Sequence, residues 1–291
     1  MFTGSITALI TPFRDGAVDE KAFQELVQWQ ADEGTHAVVP TGTTGESPSL
    51  SHEEHKRVVE LCVEVAKDKV PVIAGTGSNS TEEAIALTRH AAEAGADAAL
   101  VVTPYYSKPS QAGMLAHFRS IADSVDLPII IYNIPPRSVV DMSVETMTEL
   151  AEHPNIVGVK DATGDLTRPL SSRLSIGREF CLLSGDDVTA VAFLAQGGFG
   201  CVSVSSNVAP RLNAEMHDAW RNEQYEDVWR LRDILHPLNE ALFCEPNPAP
   251  IKFACSLLRK CLPDTRLPMV PLSTRSMARI EEAMVNAGLL K

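Results

Sequence analysis

The chain has 291 residues, 44% of them hydrophobic, and its 25 basic and 38 acidic side chains give a formal net charge of -13. That length allows one large core, or a barrel with an appendage; the like-signed field argues against phosphate backbones and anionic lipid, so neither nucleic acid nor a membrane surface is an expected partner. No uncharged apolar run approaches the roughly 20 residues needed to cross a bilayer, MFTGSITALITPF has no basic leader before its apolar stretch, and the six cysteines show no CxxC spacing, which together point to a cytoplasmic protein with reduced, buried thiols.

Eight short apolar runs follow one another along the chain: ITALITP, AVVPT, VPVIAGT, AALVVTP, PIIIYNIP, NIVGVKD, CLLSGDD and GCVSVSS. Runs apolar on both faces suit parallel strands covered by helices. Amphipathic segments lie between them, predicting helices over residues 21–32, 53–67, 81–94, 112–124, 144–152, 166–175 and 188–195. Ser51 with Glu54, and Ser80 with Glu83, read as capping boxes, and Gly34 and Gly95 as left-handed terminators. Strand and helix alternating eight times in about 220 residues match a (β/α)₈ TIM barrel. Beyond Ser206 only helical patterns remain, near 213–222, 225–242, 251–258 and 275–287, so residues 1–224 are expected to form the barrel with the active site and 225–291 a C-terminal helical extension.

In a barrel, catalytic side chains project from the carboxyl ends of strands. The loop GTTGE (42–46) follows the second run; its glycines permit close backbone approach, and Thr43 and Thr44 offer hydroxyls and N–H groups to a small anion. Tyr132 ends PIIIY, where a phenol beside a reactive amine can pass protons. Lys160 ends IVGVK, on the same strand face as Ile156 and Gly158, and the glycine is expected to leave space beside it. On an interior face the ammonium is desolvated, which favours a neutral amine able to attack a carbonyl; the competing arrangement is a rim lysine paired with Asp161 or another carboxylate. GTGSNS lacks the third glycine of a dinucleotide loop, no GxxxxGK occurs, and HEEH spaces its histidines by three, so no metal and no cofactor are expected.

GTTGE, YNIPPR (132–137), GVKDATGD (158–165), LLSGDD (182–187) and EPNPAPIK (245–252), in this order and over essentially the whole chain, closely resemble the dihydrodipicolinate synthase family of pyruvate-dependent enzymes. The resemblance implies condensation of pyruvate with aspartate semialdehyde to 4-hydroxy-tetrahydrodipicolinate, on the route to diaminopimelate and lysine. By matching positions, Lys160 resembles the Schiff-base lysine; Tyr132, Thr43 and Tyr106 the proton-relay trio, with Tyr106 reaching a neighbouring subunit's site; Thr44 and the loop backbone the holders of the pyruvate carboxylate; Arg137 the grip on the semialdehyde carboxylate; and Gly185 and Val202 the pocket lining. The resemblance further implies a homotetramer built as a dimer of dimers, and feedback inhibition by lysine at Ser47, Pro48, His52, His55, Asn79, Glu83 and Tyr105. Pro48 departs from the smaller residue common there, and plainer readings compete: Glu83 closes the capping box begun by Ser80, and His52 and His55 lie in the first turns of a surface helix, where solvated polar residues are ordinary. Alternatives are an N-acetylneuraminate lyase or a 2-keto-3-deoxy sugar-acid aldolase and, more distantly, a catalytically silent metabolite-sensing barrel. Arg137, EPNP and the threonine pair favour the synthase.

Overall fold

Each apolar run forms a strand: β1 Gly4–Ala8, β2 Ala37–Val39, β3 Ile73–Gly75, β4 Ala98–Val102, β5 Ile129–Asn133, β6 Ile156–Asp161, β7 Cys181–Ser184 and β8 Gly200–Ser203. The computed structural model describes all residues from Met1 to Lys291. Nearly every strand residue is buried, because helices cover a parallel sheet on the face that an antiparallel meander would leave in water. The eight belong to one parallel sheet, and each is followed by a helix, in order Glu20–Asp32, His52–Ala66, Thr81–Ala94, Gln111–Asp123, Val144–Leu150, Arg168–Ile176, Ala190–Ala195 and Pro210–Arg221. This is the (β/α)₈ TIM-barrel class, and helices Tyr225–Ala241, Ala249–Leu257 and Thr274–Asn286 follow it.

The chain divides into two compact units, Met1–Thr3 with Val72–Val202, and Gly4–Pro71 with Ser203–Lys291. In the first, β3 to β8 follow sequence order across the sheet, and the register sets Tyr132 beside Lys160 and Lys160 beside Leu183. In the second, β1 pairs with β2, while Pro210–Arg221 packs on Tyr225–Ala241.

Local chemistry explains most helix boundaries. Ser51 and Glu54 make both halves of their capping box, and Gly95 ends its helix at φ +92°. The second predicted box is built differently: Ser80 accepts from the Glu83 N–H, but its own N–H donates to the Ser78 hydroxyl at 3.0 Å, and Ser78 in turn donates to the Glu83 carboxylate. The pattern missed the hairpin Phe13–Arg14 with Ala17–Val18, which turns on Asp15-Gly16 with both φ positive, and the short helix Pro135–Ser138. Two-residue strands and a single helical turn are too short to show a period. Four cysteines are buried, but Cys244 and Cys261 are only half-buried, and all six are free thiols. No helix is long and apolar enough to cross a membrane.

His117, on Gln111–Asp123, is 5% exposed, with Nδ1 2.9 Å from the Thr81 hydroxyl and Nε2 unpartnered. Burial lowers its pKa from 6.5 to about 4. The fold accommodates the neutral ring, so the unfolded chain binds the extra proton; this contribution is complete above pH 6.5 and is lost as pH falls toward 4. Resistance to thermal unfolding is expected to fall over that window, by up to about 3 kcal/mol from this group. His117→Gln, which does not titrate, is expected to flatten the pH dependence; identical slopes for variant and wild type would refute the assignment.

Candidate active site

Lys160 lies one residue before the end of β6 and is 7% exposed. Alternation turns Asp161 to the opposite face, where its carboxylate accepts from the Thr163 N–H at 2.9 Å, the Thr163 hydroxyl at 2.7 Å and Arg168 Nε at 3.2 Å. Asp161 is therefore committed elsewhere, and Lys160 has no ion pair, which removes the rim-lysine arrangement. Lys160 Nζ instead sits 4.1 Å from the ring centroid of Tyr132, its register partner on β5. Tyr132 is itself 7% exposed, so amine and phenol share a surface largely withdrawn from water.

The glycine that makes room for this lysine is not Gly158. A Cβ on Gly158 would come within 2.4 Å of the Cys181 carbonyl oxygen, so its missing side chain is filled by the neighbouring strand. Gly185, just past β7, is the one beside the lysine stem: a Cβ there would lie 3.2 Å from Lys160 Cε and 2.7 Å from Ala162 Cβ. Its N–H donates to the Asp161 carbonyl at 2.7 Å, which fixes the loop against β6. Val202 is buried within β8.

Arg137 is exposed on Pro135–Ser138, directly after β5. That single turn is anchored by residues the sequence did not single out. Thr103 donates to the Ser138 hydroxyl at 3.1 Å, Ser138 donates to the Ile134 carbonyl, and Asn133 bonds both the Asp141 carboxylate and the Met142 N–H. Tyr106 is 88% exposed at φ +69°, on the loop after β4, and projects away from its own unit's core; Tyr105 beside it is 36% exposed.

In the other unit, GTTGE is a tight loop that ends on the left-handed Glu46 (φ +55°) and is preceded by the left-handed Thr41 (φ +54°). The Gly45 and Glu46 N–H groups bond the Gly42 and Thr43 carbonyls at 3.1 Å, and Thr11 donates to the Gly45 carbonyl at 2.7 Å. Thr43 is half-buried; Thr44 is buried, and its hydroxyl accepts from Asn247 at 3.0 Å. Of EPNPAPIK, Glu245 accepts from Ser273 at the start of Thr274–Asn286, whereas Lys252 donates to the Glu46 carboxylate at 2.6 Å. That engagement separates the two buried lysines, since only Lys160 has no carboxylate partner. A cavity of about 340 Å³ in the same unit is lined by Phe13, Phe253, Arg266 and Leu272 but by none of the expected site residues.

The residues expected to bind lysine are divided between the units. Ser47 and Pro48 form the turn Ser47–Ser49, followed by His52 and His55 on His52–Ala66; Asn79, Glu83 and Tyr105 belong to the first unit. His52 is exposed, whereas His55 is buried, so the plainer reading of two solvated surface rings does not hold for His55. Position 55 falls on the inner stripe with Val58, Val59 and Cys62.

Residues 1–287 match the model of the Dihydrodipicolinate synthetase family. The chain is 65% identical over 290 residues to a 4-hydroxy-tetrahydrodipicolinate synthase of Rhodospirillum centenum, covering 100% of both chains. Among solved structures it is 42% identical, with TM-score 0.97 and 100% of each chain covered, to a chloride-inhibited dihydrodipicolinate synthase of Acinetobacter baumannii complexed with pyruvate. It is 40% identical, with TM-score 0.96 and 99% of each chain covered, to the DHDPS of Cyanidioschyzon merolae with lysine bound.

Proposed function

Because this chain belongs to the dihydrodipicolinate synthetase family, we propose that it condenses pyruvate with L-aspartate 4-semialdehyde through a Schiff base on Lys160, giving 4-hydroxy-tetrahydrodipicolinate for diaminopimelate and lysine synthesis. The observation that carries the residue assignment is a buried lysine with no carboxylate partner, 4.1 Å from a tyrosine ring. Curated relatives matched end to end bear the synthase name, so the sugar-acid aldolase and the silent barrel are not favoured.

The Lys160 amine attacks the pyruvate keto carbon and forms a carbinolamine. Protons move through Tyr132, Thr43 and the Tyr106 of an adjoining copy as water leaves, and the resulting imine loses a methyl proton to become an enamine. The enamine carbon adds to the aldehyde of the second substrate; the substrate's own amino group then attacks the imine carbon, closing the ring and releasing Lys160. No other cofactor takes part. Thr44 and the GTTGE backbone hold the pyruvate carboxylate. Arg137 takes the carboxylate of the semialdehyde, since a guanidinium fork matches its two oxygens. Gly185 and Val202 shape the pocket. Residues 1–224 carry this chemistry, with 225–291 as the helical extension.

The exposed, left-handed Tyr106 fits a residue completed by a second copy, in a cytoplasmic homotetramer assembled as a dimer of dimers. Lysine bound to the Cyanidioschyzon merolae relative supports feedback inhibition through Ser47, Pro48, His52, His55, Asn79, Glu83 and Tyr105. There the half-buried Glu83 carboxylate suits an ammonium, and Asn79 and the Tyr105 hydroxyl suit the ligand's carboxylate.

Borohydride reduction in the presence of pyruvate is expected to leave a stable adduct on Lys160, absent in Lys160→Ala; an adduct mapped by mass spectrometry to Lys252 would overturn the choice of nucleophile. Gly185→Ala places a carbon 3.2 Å from Lys160 Cε and is expected to slow adduct formation about tenfold, about 1.4 kcal/mol, within the usual cost of overpacking. An unaltered trapping rate would show that the lysine stem does not depend on that gap. Glu83→Ala is expected to raise the lysine concentration for half inhibition at least about tenfold, roughly one charge-assisted contact; wild-type turnover unaffected by millimolar lysine would end the regulatory assignment.

A further inference from the structure

Glu46 occupies a conformation that its own residue type disfavours. Its φ is +55°, in the left-handed region that side-chain-bearing residues rarely adopt, and Thr41, the residue just before the loop, has φ +54°. Two hydrogen bonds hold its side chain there. Oε1 accepts from Lys252 Nζ at 2.6 Å, and Oε2 accepts from the Arg266 backbone N–H at 3.0 Å. The Lys252 side chain is wholly buried on Ala249–Leu257, with its ammonium 4.0 Å from the Phe13 ring centroid, and the Glu46 side chain is only 3% exposed.

We propose that this buried ion pair is a positioning device: it clamps the carboxyl end of the GTTGE loop so that the Thr43 and Thr44 N–H groups and hydroxyls are preset for the carboxylate of the 2-oxo acid. This rests on the assignment of that loop as the carboxylate site. The geometry is specific to the task. The clamp grips Glu46 immediately after the Thr43-Thr44-Gly45 stretch, and Asn247, five residues before Lys252, grips the Thr44 hydroxyl from the same segment. Loop and helix segment are thus joined at two points. Neither ion can rotate away without leaving an uncompensated charge out of water, so the pair fixes orientation more firmly than a solvated contact would. Burial lowers the Lys252 pKa and the Glu46 carboxylate opposes that shift, in keeping with a charged pair. Lys252 is accordingly a positioning residue, and its ammonium is engaged too closely to serve as the nucleophile.

The test compares full-length wild type, Lys252→Met and the double variant Glu46→Gln/Lys252→Met. Three quantities are read: the melting temperature, the pyruvate dependence of borohydride trapping on Lys160, and steady-state kinetics with both substrates. Lys252→Met alone strands a buried carboxylate and is expected to lower the melting temperature. The double variant removes both charges at similar volume and is expected to melt close to wild type. Its half-saturating pyruvate is nevertheless expected to rise about tenfold or more, with a smaller change in kcat and in the KM for the semialdehyde. A double variant that melts normally and binds pyruvate as the wild type does would overturn the proposal, as would a fall in kcat with pyruvate saturation unchanged. Should the double variant unfold, Glu46→Asp keeps the charge and shortens the tether by a methylene; a raised half-saturation supports the clamp, and a wild-type value overturns it. Failure of wild-type protein to form any pyruvate adduct would instead overturn the functional assignment beneath it.

Discussion

An ammonium carried out of water must find a counter-charge, lose its proton or destabilise the fold. This chain buries two lysines and treats them in opposite ways. Lys252 receives the Glu46 carboxylate at 2.6 Å, and its companion Arg266 receives Glu54 through two contacts of 2.6 Å. Lys160 receives an aromatic face and no carboxylate. On the assignment proposed above, this difference separates a lysine that holds structure from one left for chemistry. Much of the local architecture follows from keeping it so: Asp161 is occupied by Thr163 and Arg168, and Gly185 supplies the gap beside the lysine stem.

The parallel sheet makes this separation possible. Along β6, successive side chains leave on opposite faces, so the adjacent acid and base of Lys160-Asp161 are divided by the sheet itself and cannot neutralise each other. Lateral register then supplies Tyr132 from β5 and the backbone of β7 at the same level. Arg137 and the GTTGE threonines lie beyond the strand ends, on a short turn and a loop anchored by buried polar side chains such as Asn133, Ser138 and Asn247.

Wherever the pattern was periodic or the chemistry local, it was legible. The strands, the main helices and the Ser51–Glu54 box follow from apolar spacing and backbone donors near in sequence. Lys160 and Tyr132 stood out because each ends an apolar run. Short elements escaped notice: a hairpin of two-residue strands turning on Asp15-Gly16 and a one-turn helix at Pro135 have no period to display. The role of Gly158 was misjudged because a glycine announces a missing side chain without saying what fills the space. Here a neighbouring strand fills it, and the useful gap belongs to Gly185, 27 positions later. For His55, side-chain polarity suggests solvent, but the helical phase places it with Val58, Val59 and Cys62.

By itself the sequence determined the α/β class, the eight strand–helix repeats, the acidic surface and a short roster of residues able to do carbonyl chemistry, because hydrophobic period, charge and side-chain type are properties of neighbouring residues. Tertiary structure decided the partnerships. That Glu46 answers Lys252 from 206 positions away and that Asn247 holds Thr44 from 203 away depend on how the chain closes on itself. Burial then gives those distances their force, because a charge contact that water would screen at the surface becomes, inside, a constraint on where a loop or a lysine can be.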